Sequence, residues 1–338
     1  MTENNFNENV NPDKQSALKD VTLDELLDTV YPPKTPVIEG LLYAGTYLFV
    51  GAPKIGKSFL MAQLGIHVSK GIELWDYKVH KGEVLYLALE DDYARLQRRI
   101  SQMYGVEGTD KFHLVTEAPA LSEGLDSQLE IFLKEYPDCK LIIIDTLQKV
   151  RKASGELYSY SSDYEVISKL KSFSDKYNVC LLVVHHTRKM ESSDAFDMIS
   201  GTNGLLGAAD GAFILHKKKR TDKEAVMEVV GRDQQDQEIT LEFDMEFCRW
   251  NFIKSETELW KPKPDPVLEQ IAGLFTEEVK EWQGTSSELL DLLPEINLKP
   301  NALTRKLNIS VDRLFNEYGI HYENNRNHEG RYVILKKL

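Results

Sequence analysis

The chain has 338 residues, 42% of them hydrophobic, which is enough apolar content to bury one large domain and a smaller one. Its formal charge of −13 excludes a general basic coat for nucleic acid, so any such contact has to be local. No apolar run approaches the roughly 18 residues that span a bilayer, the first residues form no leader, and Cys139, Cys180 and Cys248 make no CxxC pair; a cytoplasmic protein without membrane contact, disulfide framework or zinc site is expected.

In chain order, residues 1–20 are Asn-rich and without apolar period, and read as a disordered tail. Residues 21–36 hold a short helix and a linker: Thr22 and Glu25 make a capping box, Leu23, Leu26, Leu27 and Val30 form a stripe, and Pro32-Pro33 ends it. Whether that stripe covers a neighbouring subunit or its own chain is left open by the sequence. Residues 37–254 alternate short Val/Ile/Leu-rich runs ("TYLFVG", "EVLYLALE", "KLIIIDT", "VCLLVVHH") with amphipathic helices carrying Leu125, Leu129 and Phe132 or Val166, Leu170 and Phe173. That succession predicts an α/β domain with a mostly parallel sheet buried on both faces. After residue 210 the strands crowd together ("GAFILHK", "AVMEVVGR", "EITLEFD", "FCRWNFI") and are expected as hairpins on the sheet edge.

A charged, three-proline stretch sets a linker at 255–266. In the region 267–338, "DPVLEQ…ELLDLL" reads as two helices, with two more and a hairpin around Asn325 to Gly330 behind them. From Lys299 onward eight Lys/Arg face four Asp/Glu, a local basic surface suited to nucleic acid; docking of a protein explains the same helices.

Gly51-Ala52-Pro53-Lys54-Ile55-Gly56-Lys57-Ser58 follows an apolar strand and precedes the helix that Phe59 enters, matching GxxxxGK[ST]. Glycines let backbone N–H groups face phosphates, Lys57 reaches the terminal phosphates, and Ser58 ligates Mg2+. Asp145, ending "KLIIID", is the expected second magnesium residue. Glu90, at the end of "EVLYLALE", is the candidate base for an attacking water, while Asp91 and Asp92 are expected to cap the next helix. His185 and His186 end another strand and point opposite ways; His186 is the one expected to face the phosphates.

Together "GAPKIGKS", "ALEDD", "LIIIDTLQK" and "VVHHTRK" resemble the RecA-like ATPases of the RepA type, hexameric replicative helicases of plasmids and mobile elements, with DnaB-type helicases and KaiC more distant. The resemblance covers about residues 22–252. It implies a homo-oligomeric ring, expected as a hexamer, that uses ATP and Mg2+, with each site completed by the next subunit and with Lys57, Ser58, Glu90, Asp145 and His186 in the roles above. Ser200 stands where that group has an arginine, so Arg232, on a strand and turn similar to the finger-bearing one of DnaB-type rings, becomes the candidate trans-acting residue. The run Lys217–Arg220 is expected to be a solvated turn.

In such rings two loops line a channel for single-stranded DNA. The corresponding segments here carry Lys149, Arg151, Lys152, Tyr158 and Tyr160, then Arg188 and Lys189, phosphate neutralisers with stacking rings in the first. Helices followed by a β-wing resemble a winged helix, which implies duplex DNA as a partner of the C-terminal module. The reading is a DNA-dependent motor, a replicative helicase or replication initiator of a mobile element. A non-translocating loader and a KaiC-like nucleotide-dependent switch remain as alternatives.

Overall fold

The computed structural model of the chain describes residues 20–31, 33–151, 160–186, 203–219, 221–232, 234–257, 263–327 and 330–338. They form two compact units: Lys34–Lys261, and a second that joins the two chain ends, Met1–Pro33 with Pro262–Leu338. Most of the expected tail, and 258–262 of the expected linker, lie outside the described residues.

The N-terminal helix α1 spans Leu23–Asp28. In the larger unit follow β1 (Pro36–Ile38), β2 (Leu42–Tyr43), β3 (Gly45–Gly51), α2 (Lys57–Lys70), β4 (Glu83–Ala88), α3 (Tyr93–Tyr104), β5 (Phe112–Val115), α4 (Leu125–Glu135) and β6 (Cys139–Asp145). Then come α5 (Leu147–Val150), α6 (Tyr160–Tyr177), β7 (Cys180–His186), α7 (Asn203–Ala208), β8 (Gly211–His216), β9 (Glu224–Gly231), β10 (Gln237–Asp244) and β11 (Arg249–Ser255). Nine of these strands form one sheet in the order β11-β10-β9-β8-β3-β7-β6-β4-β5. From β8 to β5 all neighbours are parallel, and β9, β10 and β11 add antiparallel hairpins at one edge, as the crowded spacing implied.

The strands read from sequence as continuous apolar runs are the buried ones, because helices cover both sheet faces. Phe49, Leu60, Tyr86 and Trp250 belong to the core on one face, and Leu48, Val50, Ile142, Ile144 and Ile167 to that on the other. Cys139 and Cys180 are core residues, and burial pushes the Cys139 thiol up to about 12. The short strand β5, with four half-buried residues, was not anticipated.

In the second unit α8 (Pro266–Gly273), β12 (Glu281–Gly284), α9 (Ser286–Asp291), α10 (Pro300–Ile309) and α11 (Val311–Tyr318) lead into the hairpin β13 (Ile320–Asn327) and β14 (Gly330–Lys337). The two helices expected over 265–293 are α8 and α9, but the strand between them was not anticipated: "EWQG" alternates exposed and half-buried side chains and pairs antiparallel with β14, giving a sheet ordered β12-β14-β13. Leu268, Ile271, Leu289, Leu303, Leu307, Leu314 and Leu335 fill its core.

The open question about α1 is answered only in part within this unit, since Leu23 and Leu26 of the stripe stay exposed. The capping box is present, and Val30 packs on the unit's core. Arg305 donates to Asp24 (2.7 Å) and Asp28 (2.8 Å), and the buried Asn308 donates to Leu27 O (2.9 Å). These contacts also change the picture of the basic C-terminal segment. Arg305 is held by α1, Lys306 pairs with Asp265, Arg313 with Glu317 at 2.6 Å, and Lys336 with Glu281 at 3.2 Å. Much of the excess positive charge is therefore matched by acids, several from earlier in the chain. Among the described residues no helix is long and apolar enough to cross a membrane.

Candidate active site

Every residue of β3 is buried, so this central strand delivers Gly51 to its C-terminal end on a rigid base. A Cβ on Gly51 would meet Leu215 O at 2.7 Å, which is why the loop must leave β3 through glycine. The loop then turns through positive φ at Lys54 (65°) and Gly56 (110°), leaving Ala52, Pro53 and Lys54 exposed before α2 starts. Ile55 and Phe59 pack against the core beneath. A loop of this shape turns its N–H groups outward beside the positive end of a helix, the geometry that accepts an anion.

Lys57 is 6% exposed. Its ammonium donates to Gly51 O (2.7 Å) and Ala52 O (3.1 Å), and lies 3.1 Å from His186 Nδ1. Burial lowers its pKa from 10.5 to about 8, opposed by the nearby carboxylates of Asp145 and Glu90. His186 is likewise pushed down by partial burial and then by the Lys57 charge, so its neutral ring can accept from the ammonium. Strand alternation separates the two histidines as expected: His185 is buried and His186 half-exposed.

Register brings the acids to the same C-terminal ends of the parallel strands. Gly51 pairs with His186 across β3–β7, and Ala88 with Asp145 across β4–β6. Asp145 is 4% exposed; burial raises its pKa, against hydrogen bonds from Ser58 and from Tyr86 Oη (3.0 Å) that favour the carboxylate. Leu89 N donates to Asp145 O (2.8 Å), fixing the end of β4, and Thr146 Oγ1 donates to Glu90 Oε1 at 3.3 Å. A buried carboxylate touching a hydroxyl suits a divalent ion whose other ligands are phosphate oxygens and water. No cluster of three or more His, Cys, Asp or Glu ligands occurs among the described residues.

Lys57, Ser58, Glu90, Asp145 and His186 are thus brought together. Arg232 is not among them. Gly231 pairs with Gly211, which pairs with Tyr47 near the start of β3, so Arg232 stands at the opposite end of the sheet from Gly51. There its Nη2 donates to Gly207 O (2.5 Å) and its N–H to the carbonyl of Asp210 (2.9 Å). Of the expected cappers, Asp92 does cap α3, accepting from Arg95 N at 2.8 Å. Asp91 instead accepts from Arg99 at 2.6 and 3.2 Å, because its side chain is buried against that helix and needs a full cationic partner. The Lys217–Lys219 segment is a turn around Asp222, as expected.

Of the expected channel residues, Lys149 is exposed on α5 and Arg151 half-buried just after it. Lys152, Tyr158, Arg188 and Lys189 lie outside the described residues, as do Ser200, Arg220 and the side chain of Tyr160. Reading by sequence missed Tyr86 and Trp250. Alternation within "EVLYLALE" could have put Tyr86 on the face shared with Ala88, but nothing local links Trp250 to the loop, since its bond to Gly56 O spans 194 residues.

A family model described as an AAA domain matches residues 12–192. No curated protein matches the chain. Among solved structures, one described as the ATPase domain of G40P superposes with a TM-score of 0.53 at 12% identity, covering 62% of this chain and 85% of that one. Another, of a DnaB-like replicative helicase and its interactions with primase, gives 0.55 at 12% identity, covering 68% of this chain and 66% of that one. At such identity the likeness is one of fold: a large, mostly parallel sheet of the RecA-like kind found in helicase ATPase domains.

Proposed function

Because the chain belongs to the AAA domain family, which matches more than half of it, we propose that it is an ATP hydrolase working on DNA as a ring-forming motor, a replicative helicase or replication initiator of a mobile element. The observation that carries this reading is the meeting of Lys57, Ser58, Asp145, Glu90 and His186 at one edge of adjacent parallel strands, below a loop shaped for phosphates.

In this reading Gly51–Phe59 hold the triphosphate. The Lys57 ammonium, hydrogen-bonded to carbonyls and a neutral ring with the carboxylates of Asp145 and Glu90 nearby, gains direct anionic partners when phosphates arrive, which offsets its burial penalty. Ser58 and Asp145 would hold Mg2+, which would neutralise charge on the phosphates. Glu90 takes the proton of the attacking water, and Thr146 orients it. His186, bonded to Lys57 on one side and ending β7 on the other, passes the presence of the terminal phosphate to the segment after β7. Arg232, far from its own loop, serves the neighbouring subunit of a homo-oligomeric ring, in our reading a hexamer in the cytoplasm.

Single-stranded DNA occupies the channel, contacted by the segments after β6 and β7. The second unit, with helices ahead of a three-stranded sheet and terminal hairpin, fits a winged-helix module on duplex DNA. One observation favours protein docking there instead: Arg305, Lys306, Arg313 and Lys336 already face acids. Measured ATP turnover should rise on adding single-stranded DNA and vanish in Lys57→Ala. Turnover indifferent to DNA, with no DNA binding at low salt, would sink the motor and leave a KaiC-like switch.

A further inference from the structure

The structure assigns to Trp250 the positioning of the phosphate loop, with its indole as a built-in reporter of the bound nucleotide. This rests on the reading of Gly51–Ser58 as a nucleotide loop. Trp250 comes from β11 at the far edge of the sheet, yet it is completely buried against the start of α2. Its Nε1–H donates to Gly56 O at 3.2 Å, an oxygen that also accepts the first helical bond from Leu60 N.

Gly56 O and the N–H of Lys57 belong to one planar trans peptide and point opposite ways. Tying the oxygen toward Trp250 therefore aims the Lys57 N–H away from it, to the side where the loop is open. The ring also defines residue 56: a Cβ there would lie 3.0 Å from Trp250 Cζ2, so glycine is required by the neighbour as well as by its φ of 110°. The tryptophan cannot drift, because Gln63 of α2 accepts from its N–H (2.8 Å) and donates to its carbonyl (2.9 Å), and Trp75 Nε1 donates to the same carbonyl (2.8 Å).

A wall of side chains continues from it. Phe243 meets Trp250 edge-on at 5.0 Å, Phe59 meets Phe243 at 5.5 Å, Arg99 lies over Phe59 at 5.0 Å, and Arg99 grips Asp91, next to Glu90. A buried indole N–H needs an acceptor, and here the acceptor is the carbonyl of the residue before Lys57, which ties the ring to the loop.

Trp250→Phe keeps most of the packed ring and removes the donor. It should weaken ADP binding in the presence of Mg2+ about fivefold by calorimetry, the effect of one net hydrogen bond, with kcat at saturating ATP little changed. Trp282→Phe, in the other unit, should bind as wild type. In a chain carrying Trp260→Phe and Trp282→Phe, which keeps the Trp75 anchor, the emission should shift on adding ADP with Mg2+, lose that shift when Trp250→Phe is added, and stay still when Lys57→Ala is added. Wild-type protein that binds no ADP would refute the nucleotide site itself. Wild-type binding with an unchanged Trp250→Phe affinity and a silent Trp250 would overturn this proposal alone.

Discussion

Replacing Lys57 by methionine should stabilise the nucleotide-free protein while removing its response to nucleotide. The ammonium is 6% exposed, and burial brings its pKa from 10.5 to about 8 although Asp145 and Glu90 pull the other way. Holding that charge costs about 3 kcal/mol relative to the unfolded chain. Below pH 8 folded and unfolded chains both carry the proton and the cost is present in full. Between about 8 and 10.5 only the unfolded chain carries it, so stability rises with pH through that window. Methionine fills the same channel without charge. The carbonyl of Ala52 and the ring of His186 remain within reach of water, so the main loss is the bond to the buried Gly51 O, about 1–2 kcal/mol. The net expectation at pH 7 is a gain of about 1–2 kcal/mol. Urea unfolding of both proteins at pH 7 and pH 9, with and without ADP and Mg2+, reads it out. The wild type should gain from ADP and from the higher pH. The variant should start higher and gain from neither. A variant less stable than wild type without nucleotide would refute the reasoning, because the ammonium would then be a net stabiliser of the empty loop.

Glu90→Gln should bind ADP as wild type yet lower ATP turnover by about 10²–10⁴-fold, the usual worth of a positioned base; turnover within threefold of wild type would remove Glu90 from that role. For Arg232→Ala the readout is mixing: doped into wild type it should depress turnover more than its share of the subunits, and strictly proportional loss would contradict a trans role. Asn308→Ala should cost the second unit about 2–3 kcal/mol, since the buried amide bridges Leu27 O, Tyr322 Oη and Asn324; thermal unfolding followed by Trp282 emission would check it, with a change below 0.5 kcal/mol counting against that hub.

What could be read from the chain was what local pattern controls. "GTYLFVG", "CKLIIID" and "CLLVVHH" each carry an unbroken apolar run because a parallel sheet buries it on both faces, and turn chemistry at Gly51 and Gly56 marks the loop between strand and helix. The hairpins after residue 210 were legible from spacing alone. Contacts distant in sequence were not. Asp91 looks like a helix-capping acid until Arg99, two turns along, is seen to take it. The strand in "EWQG" is only four residues long and gains its meaning from Lys336 to Val333. The basic C-terminal segment looked like a free surface because Asp24 and Asp28, which hold Arg305, come from the other end of the chain.

The central claim is that hydrolysis at this loop drives movement along DNA. It is tested most directly by strand displacement on 5′-tailed and 3′-tailed duplexes, with ATP and Mg2+ and with particle size measured on the same sample. The account predicts ring-sized particles that displace the strand from one tail polarity, lose the activity in Lys57→Ala, and lose it in Glu90→Gln. DNA-stimulated hydrolysis without displacement on either tail would contradict the motor and favour a loader that remodels a complex without translocating.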